Sequence, residues 1–129
     1  MRIEHVAIWT KNLEQVKAFY ETYFGARAGD KYENPAKGFE SIWLTFPSGG
    51  ARLELMYSAT SRSGRGEGDA GLGYAHLALS VGSRERVEAL TARLKKDGFR
   101  VLDGPRTTGD GYFESVVLDP EGNRVEITA

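Results

Sequence analysis

The chain contains no cysteine. That excludes a disulfide framework, a thiolate nucleophile and any metal site built on sulfur. An excess of charge of one sign is missing too: 17 lysines and arginines stand against 18 aspartates and glutamates. No global field therefore draws the chain to nucleic acid or to an anionic membrane. No apolar run approaches the roughly 20 residues needed to span a bilayer, and the N-terminus enters a strand pattern within a few residues. A soluble, cytoplasmic protein is expected, with a small molecule or another copy of itself as partner. At 129 residues the chain is one domain's worth, long enough to bury about two thirds of its unfolded surface. Histidine is scarce, with two residues in all, and the placing of those two organises what is present.

His5 and His76 each head a copy of one pattern. The first copy runs Glu4-His5-Val6-Ala7-Ile8, a helix-like stretch, Phe39-Glu40-Ser41, then Arg52-Leu53-Glu54-Leu55. The second runs Ala75-His76-Leu77-Ala78-Leu79, a helix-like stretch, Phe113-Glu114-Ser115, then Arg124-Val125-Glu126-Ile127. His76 follows His5 by 71 positions and Glu126 follows Glu54 by 72, the mark of a duplication.

Strand alternation predicts a first strand from Ile3 to Trp9; Asn12 then caps a helix in which Leu13, Val16, Phe19, Tyr20 and Tyr23 recur at helical spacing, stopped by Gly25. A weaker extended stretch leads to the turn at Asn34-Pro35. Strands Phe39 to Phe46 and Ala51 to Tyr57 follow, joined through Pro47-Ser48-Gly49-Gly50. After a Ser-, Gly-, Arg- and Asp-rich stretch the order repeats. A strand from Tyr74 to Val81 precedes a helix capped by Ser83 and stopped by Gly98. A short strand Phe99 to Leu102, a loop, and strands Phe113 to Leu118 and Asn123 to Thr128 complete it. The expected fold is α+β: a first βαβββ module over 1–57, a flexible linker over 58–73 and a second βαβββ module over 74–129. The two modules are expected to form a curled, cup-like mixed sheet with helices on its convex face.

Side chains alternate faces along a strand. In the first strand His5 shares a face with Ala7 and Trp9, opposite Val6 and Ile8. His76 lies opposite Leu77 and Leu79, Glu54 opposite Leu53 and Leu55, and Glu126 opposite Val125 and Ile127. The large aliphatics take the face that a helix covers, so all four polar residues take the other. A carboxylate turned into a sheet concavity is costly unless it is paired, hydrogen-bonded or bound to a cation. Ordinary solvent-facing polar residues would require four coincidences of type and face. Metal coordination by His5, Glu54, His76 and Glu126 is the preferred account. Neutral imidazole and carboxylate donors suit one divalent transition ion, Ni²⁺, Co²⁺, Zn²⁺, Mn²⁺ or Fe²⁺. Four protein donors leave two octahedral positions for waters or for two adjacent substrate oxygens, and Glu54 or Glu126 is the candidate proton-transfer base.

With its paired modules, its His, Glu, His, Glu order, and the stretches Gly73-Tyr74-Ala75-His76-Leu77-Ala78-Leu79 and Asp119-Pro120-Glu121-Gly122-Asn123, the whole chain resembles the vicinal oxygen chelate superfamily, in particular bacterial glyoxalase I-like (lactoylglutathione lyase-like) small proteins. The resemblance implies a metal-dependent lyase or isomerase of glyoxalase I type. Where the glyoxalase pattern places an arginine just after the first His to hold a glutathione carboxylate, this chain reads Ala7-Ile8-Trp9-Thr10. Two other readings use the same fold. One is a different metalloenzyme, an epimerase or a fosfomycin-type thiol transferase; the other is a bleomycin-resistance-type binding protein that holds an aromatic ligand among Trp9, Trp43, Phe46 and Tyr112. Plain core packing is the simpler expectation for Trp43. In Arg106-Thr107-Thr108-Gly109-Asp110-Gly111-Tyr112 the chain more closely resembles a small glyoxalase-like subgroup, and Arg106, Thr108 and Tyr112 join Trp9 and Trp43 as candidate substrate contacts, on a polar hairpin loop or a lid over substrate. Open sheet edges favour a homodimer.

Overall fold

The structure is a computed structural model and describes residues 1–60 and 73–129. It divides into two compact units, Met1–Gly64 and Arg65–Ala129. The first contains β1 (His5–Trp9), α1 (Leu13–Phe24), β2 (Arg27–Ala28), β3 (Tyr32–Asn34), a single 3-10 turn (Pro35–Lys37), β4 (Phe39–Thr45) and β5 (Arg52–Ser58). The second contains β6 (Leu77–Ser80), α2 (Arg84–Lys96), β7 (Val101–Thr107), β8 (Phe113–Leu118) and β9 (Arg124–Thr128). The protein is thus α+β, with two mixed sheets. Most of the stretch read as a linker lies outside the described residues; its first residue, Ser58, closes β5.

In the first unit the strand order is β1-β5-β4-β2, with β3 also pairing β4. β1 runs parallel to β5, because α1 returns the chain between them, while β4 and β5 form an antiparallel hairpin. Asn12 caps α1 by accepting from the Gln15 N–H, and Gly25 ends it at φ 65° in the left-handed region, which glycine enters at little cost. Leu13, Val16, Phe19 and Tyr20 of α1 are buried with Ile42, Leu44, Leu53 and Leu55 of the sheet.

The second unit repeats this as β6-β9-β8-β7, with β6 parallel to β9. Ser83 caps α2 through the Arg86 N–H. Val87 and Leu94 of α2 are buried, as are Val117, Val125 and Ile127 of the sheet. At the centre of the helix–sheet contact is a buried hydroxyl pair, Thr91 Oγ1 and Ser115 Oγ at 2.6 Å, with Thr91 also 2.6 Å from the Val87 carbonyl.

Three expectations need correction. The strand expected over Tyr74 to Val81 is Leu77–Ser80, so His76 immediately precedes it; the parallel ladder starts only where Leu77 meets Val125. The short strand expected over Phe99 to Leu102 is Val101–Thr107. It accommodates Gly104 and Pro105 through two register shifts, and as the outer strand it can carry a proline without losing a ladder bond. Gly104 is required there: a Cβ would meet the Glu114 carbonyl oxygen at 2.5 Å. Finally, Phe39-Glu40-Ser41 and Phe113-Glu114-Ser115 are not equivalent positions. Ser41 faces Met56, two residues after Glu54, whereas Glu114 faces Thr128, two residues after Glu126. Glu114 therefore corresponds to Ser41, and the shared tripeptide is out of register by one.

Candidate metal centre

Ladder register places three of the four proposed donors, and His76 lies just before β6. Glu54 stands between Ala7 of β1 and Trp43 of β4. Glu126 stands between Ala78 of β6 and Val116 of β8. In each unit the histidine lies two residues before that alanine: His5 shares its face within β1, and His76, ahead of its strand, reaches Glu126. The structure therefore puts one imidazole and one carboxylate on the sheet face away from the helix, twice, in the same relative register.

Within the second unit the pair is close: His76 Nε2 lies 3.4 Å from Glu126 Oε2, with the histidine side chain 42% exposed and the glutamate 16%. Two donors bound about 2.1 Å from one ion at a right angle lie roughly 3 Å apart, so this spacing suits neighbouring ligands. The carboxylate also has a partly buried neighbour that the sequence reading missed. Burial first, and then the adjacent Glu126 carboxylate, push the Glu114 carboxyl above its ordinary range. The one-residue slip hid it, since aligning the tripeptides assigns Glu114 the facing of Glu40.

In the first unit His5 is engaged elsewhere. Its Nδ1 is 2.5 Å from Glu4 Oε2, and the other Glu4 oxygen accepts from Arg52 Nε at 2.8 Å and from Arg52 Nη2. The His5 hydrogen bond, followed by Arg52, holds the Glu4 carboxyl below its usual range. Arg52 stacks over Trp43, 4.1 Å from the ring centroid, and the His5 ring meets Trp43 edge-on at 4.9 Å. Trp43 is thus not a core residue: it is partly exposed on the Glu54 face. Trp9 shares that face, 54% exposed and edge-on to Phe39.

The other candidate substrate contacts lie in the second unit. Arg106 belongs to β7, opposite Glu114, and binds Asp103 through Nε at 2.8 Å and Nη2 at 2.5 Å. The segment beyond it is a tight, internally bonded turn: Thr108 Oγ1 donates to Asp110 Oδ1 at 2.5 Å and accepts from the Tyr112 N–H at 2.9 Å. Tyr112 is 60% exposed. Asp119, buried, accepts from the Glu121 and Asn123 N–H groups and from Asn123 Nδ2, all at 2.9 Å. It thereby fixes the turn that sets the Glu126 register. A cavity of about 230 Å³ lined by residues including Asn34, Phe39 and Tyr57 contains none of the four donors.

Among the described residues no three His, Cys, Asp or Glu side chains cluster as a ready metal site; each unit presents two. The donor chemistry fits a divalent transition ion: nitrogen and oxygen only, on an open face, beside small alanines that leave room.

A family model described as Glyoxalase/Bleomycin resistance protein/Dioxygenase superfamily matches residues 2–127. The chain is 32% identical over 108 residues to an ethylmalonyl-CoA/methylmalonyl-CoA epimerase of Cereibacter sphaeroides, covering 78% of this chain and 74% of that protein. A glyoxalase family protein from Enterococcus faecalis matches with TM-score 0.78 and 27% identity over 99% of this chain and 97% of that one. A trypanothione-dependent glyoxalase I of Leishmania major shares the fold, with TM-score 0.79 and 23% identity over 99% of this chain and 86% of that one.

Proposed function

Because the chain belongs to the Glyoxalase/Bleomycin resistance protein/Dioxygenase superfamily, we propose that it is a divalent-metal-dependent isomerase or lyase of glyoxalase I type, acting on a small carbonyl substrate with two neighbouring oxygens. The observation that carries this reading is the doubled register: Glu54 opposite Ala7 and Glu126 opposite Ala78, each with a histidine two residues before the alanine. His5, Glu54, His76 and Glu126 are the proposed donors. When bound, the ion supplies Lewis acidity to the substrate carbonyl and so acidifies the adjacent carbon–hydrogen bond. One of the two glutamates takes that proton and returns it to the neighbouring carbon. Trp9 and Trp43 offer an apolar wall on the Glu54 face, and Arg106, Thr108 and Tyr112 offer polar contacts from the second half.

The 32% identity to a coenzyme A thioester epimerase favours a second reading, in which the glutamates serve the two faces of one carbon. Both readings require proton exchange beside a carbonyl, and substrate separates them. The first experiment is elemental analysis of untagged protein purified without chelator, followed by incubation in D₂O with hemithioacetals and with branched coenzyme A thioesters. About one transition ion per site, with deuterium entering one class and lost in Glu54→Gln or Glu126→Gln, supports the reading. Protein that takes up neither Ni²⁺ nor Zn²⁺ sinks it, leaving the metal-free binding protein. A homodimer belongs to the proposal, tested by mixing His5→Ala and His76→Ala proteins. Regained activity requires donors from two copies; continued inactivity assigns the four to one chain.

A further inference from the structure

The two histidines are held differently. Glu4 spends one carboxylate oxygen on His5 Nδ1, at 2.5 Å, and the other on the Arg52 guanidinium. Arg52 lies over Trp43, and Trp43 receives the edge of the His5 ring. Glu4, Arg52, Trp43 and His5 thus form a closed ring of contacts in which each side chain touches two others. Single exposed ion pairs hold little, whereas a ring of this kind constrains the χ angles of all four. The repeat keeps His76 and Arg124 but has Ala75 in the place of Glu4, and Val116 opposite Glu126 where Trp43 faces Glu54. Among the described residues, the carboxylate within ion-pair distance of His76 is Glu126, on Nε2.

We propose that Glu4 is the positioning residue of His5: it takes the Nδ1–H, fixes the ring plane against Trp43, and leaves Nε2 as the lone-pair donor toward the metal, a role that none of the described residues fills for His76. An ionised carboxylate only accepts, so the ring nitrogen facing it must carry the proton. A metal-binding imidazole whose second nitrogen donates to a carboxylate is held in one tautomer and made more basic. The inference rests on the reading of His5 as a ligand.

Long-range ¹H–¹⁵N NMR of the imidazoles in the metal-free full chain at pH 8 tests it, together with Zn²⁺ affinity measured against a competing chelator. In the unaltered protein His5 should show a protonated Nδ1 and a lone-pair Nε2. Glu4→Ala should shift His5 toward the other tautomer, leave the His76 signals and the far-ultraviolet circular dichroism unchanged, and weaken Zn²⁺ binding roughly ten- to a hundredfold. Glu4→Gln, whose amide oxygen still accepts, should restore most of the tautomer signal. Identical His5 signals with and without Glu4 overturn the proposal whatever the metal result. His5→Ala protein that binds Zn²⁺ as tightly as the original overturns the ligand reading, and the proposal with it, even where the tautomer responds to Glu4.

Discussion

In the first half of the chain the face carrying His5 and Glu54 is lined with Trp9, Phe39, Trp43 and Met56 beside Ser41 and Arg52; the matching face of the second half carries Val116 among Asp103, Arg106, Glu114 and Thr128. The helix sides differ as well. Against α1 the sheet offers Ile42, and α1 presents Phe19 and Tyr20; against α2 the sheet offers Ser115, which meets Thr91. What matches is the histidine and glutamate, the aliphatics directly behind them, the alanine facing each glutamate (Ala7, Ala78) and the arginine two residues before that glutamate (Arg52, Arg124). A duplicated module can exchange the side chains around it while its histidine, its glutamate and the aliphatics behind them stay in place. One face has come to carry mostly aromatic side chains around its pair, the other mostly charged ones.

The largest effect that could break this picture falls on the proposed donors. Glu54→Gln and Glu126→Gln should each lower turnover about 10²- to 10⁴-fold, the range for a lost general base or acid, with urea midpoints little changed because neither side chain lies in the core. Unchanged turnover in both variants would remove the proposed mechanism. If one variant keeps its metal and loses turnover while the other loses metal, the base is identified.

Next come the matched core positions. Leu55 and Ile127 are both fully buried, so truncation of either to alanine should cost about 2–5 kcal/mol. Chemical denaturation measures it, and a loss under 1 kcal/mol in one half would show that its core is already loose. Asp119→Ala strikes a feature of the second hairpin, a buried carboxylate accepting three hydrogen bonds, and should cost roughly 2–4 kcal/mol; a cost under 0.5 kcal/mol would mean that the turn holds without it.

The smallest effect separates Glu40 from Glu114. The folded metal-free protein binds the Glu114 proton more tightly than the unfolded chain, because burial and Glu126 raise its pKa. Stability therefore falls as pH rises from the ordinary carboxylate value to the raised one, and the whole cost persists above it. Glu114→Gln should stabilise the protein at pH 7 and have no such effect at pH 3. Glu40 sits 3.5 Å from Lys31, so Glu40→Gln should be neutral or cost a few tenths of a kcal/mol. Equal pH profiles for the two variants would contradict the difference in facing.

Much of this was legible beforehand. Parity alone sorts His5 and Glu54 from Val6, Leu53 and Leu55, because alternation in a half-covered strand is a direct consequence of backbone geometry. The caps Asn12 and Ser83 were readable from their side-chain chemistry. Three things were not. Gly104-Pro105 reads as a loop, and only the outer position of β7 lets it stay in a strand. Trp43 reads as core until its partner across the ladder is known to be Glu54. Glu114 was hidden by an alignment of tripeptides that ignored the length of the hairpin after them, and a shift of one residue reverses facing.

That hairpin length reaches further. Eleven positions separate Trp43 from its partner Glu54, and ten separate Val116 from Glu126. An insertion in the β4–β5 turn reverses which of the β4 side chains look toward Glu54. It leaves the β1–β5 pairing untouched where β5 keeps its parallel ladder with β1 and β4 takes up the shift. In the first half His5 and Glu54 ride on that parallel pair of strands, and Trp43 beside them rides on the strand that shifts. A single gained or lost codon in that surface turn can thus exchange which β4 side chains lie beside Glu54 while His5 and Glu54 keep their places, a change that no point substitution offers.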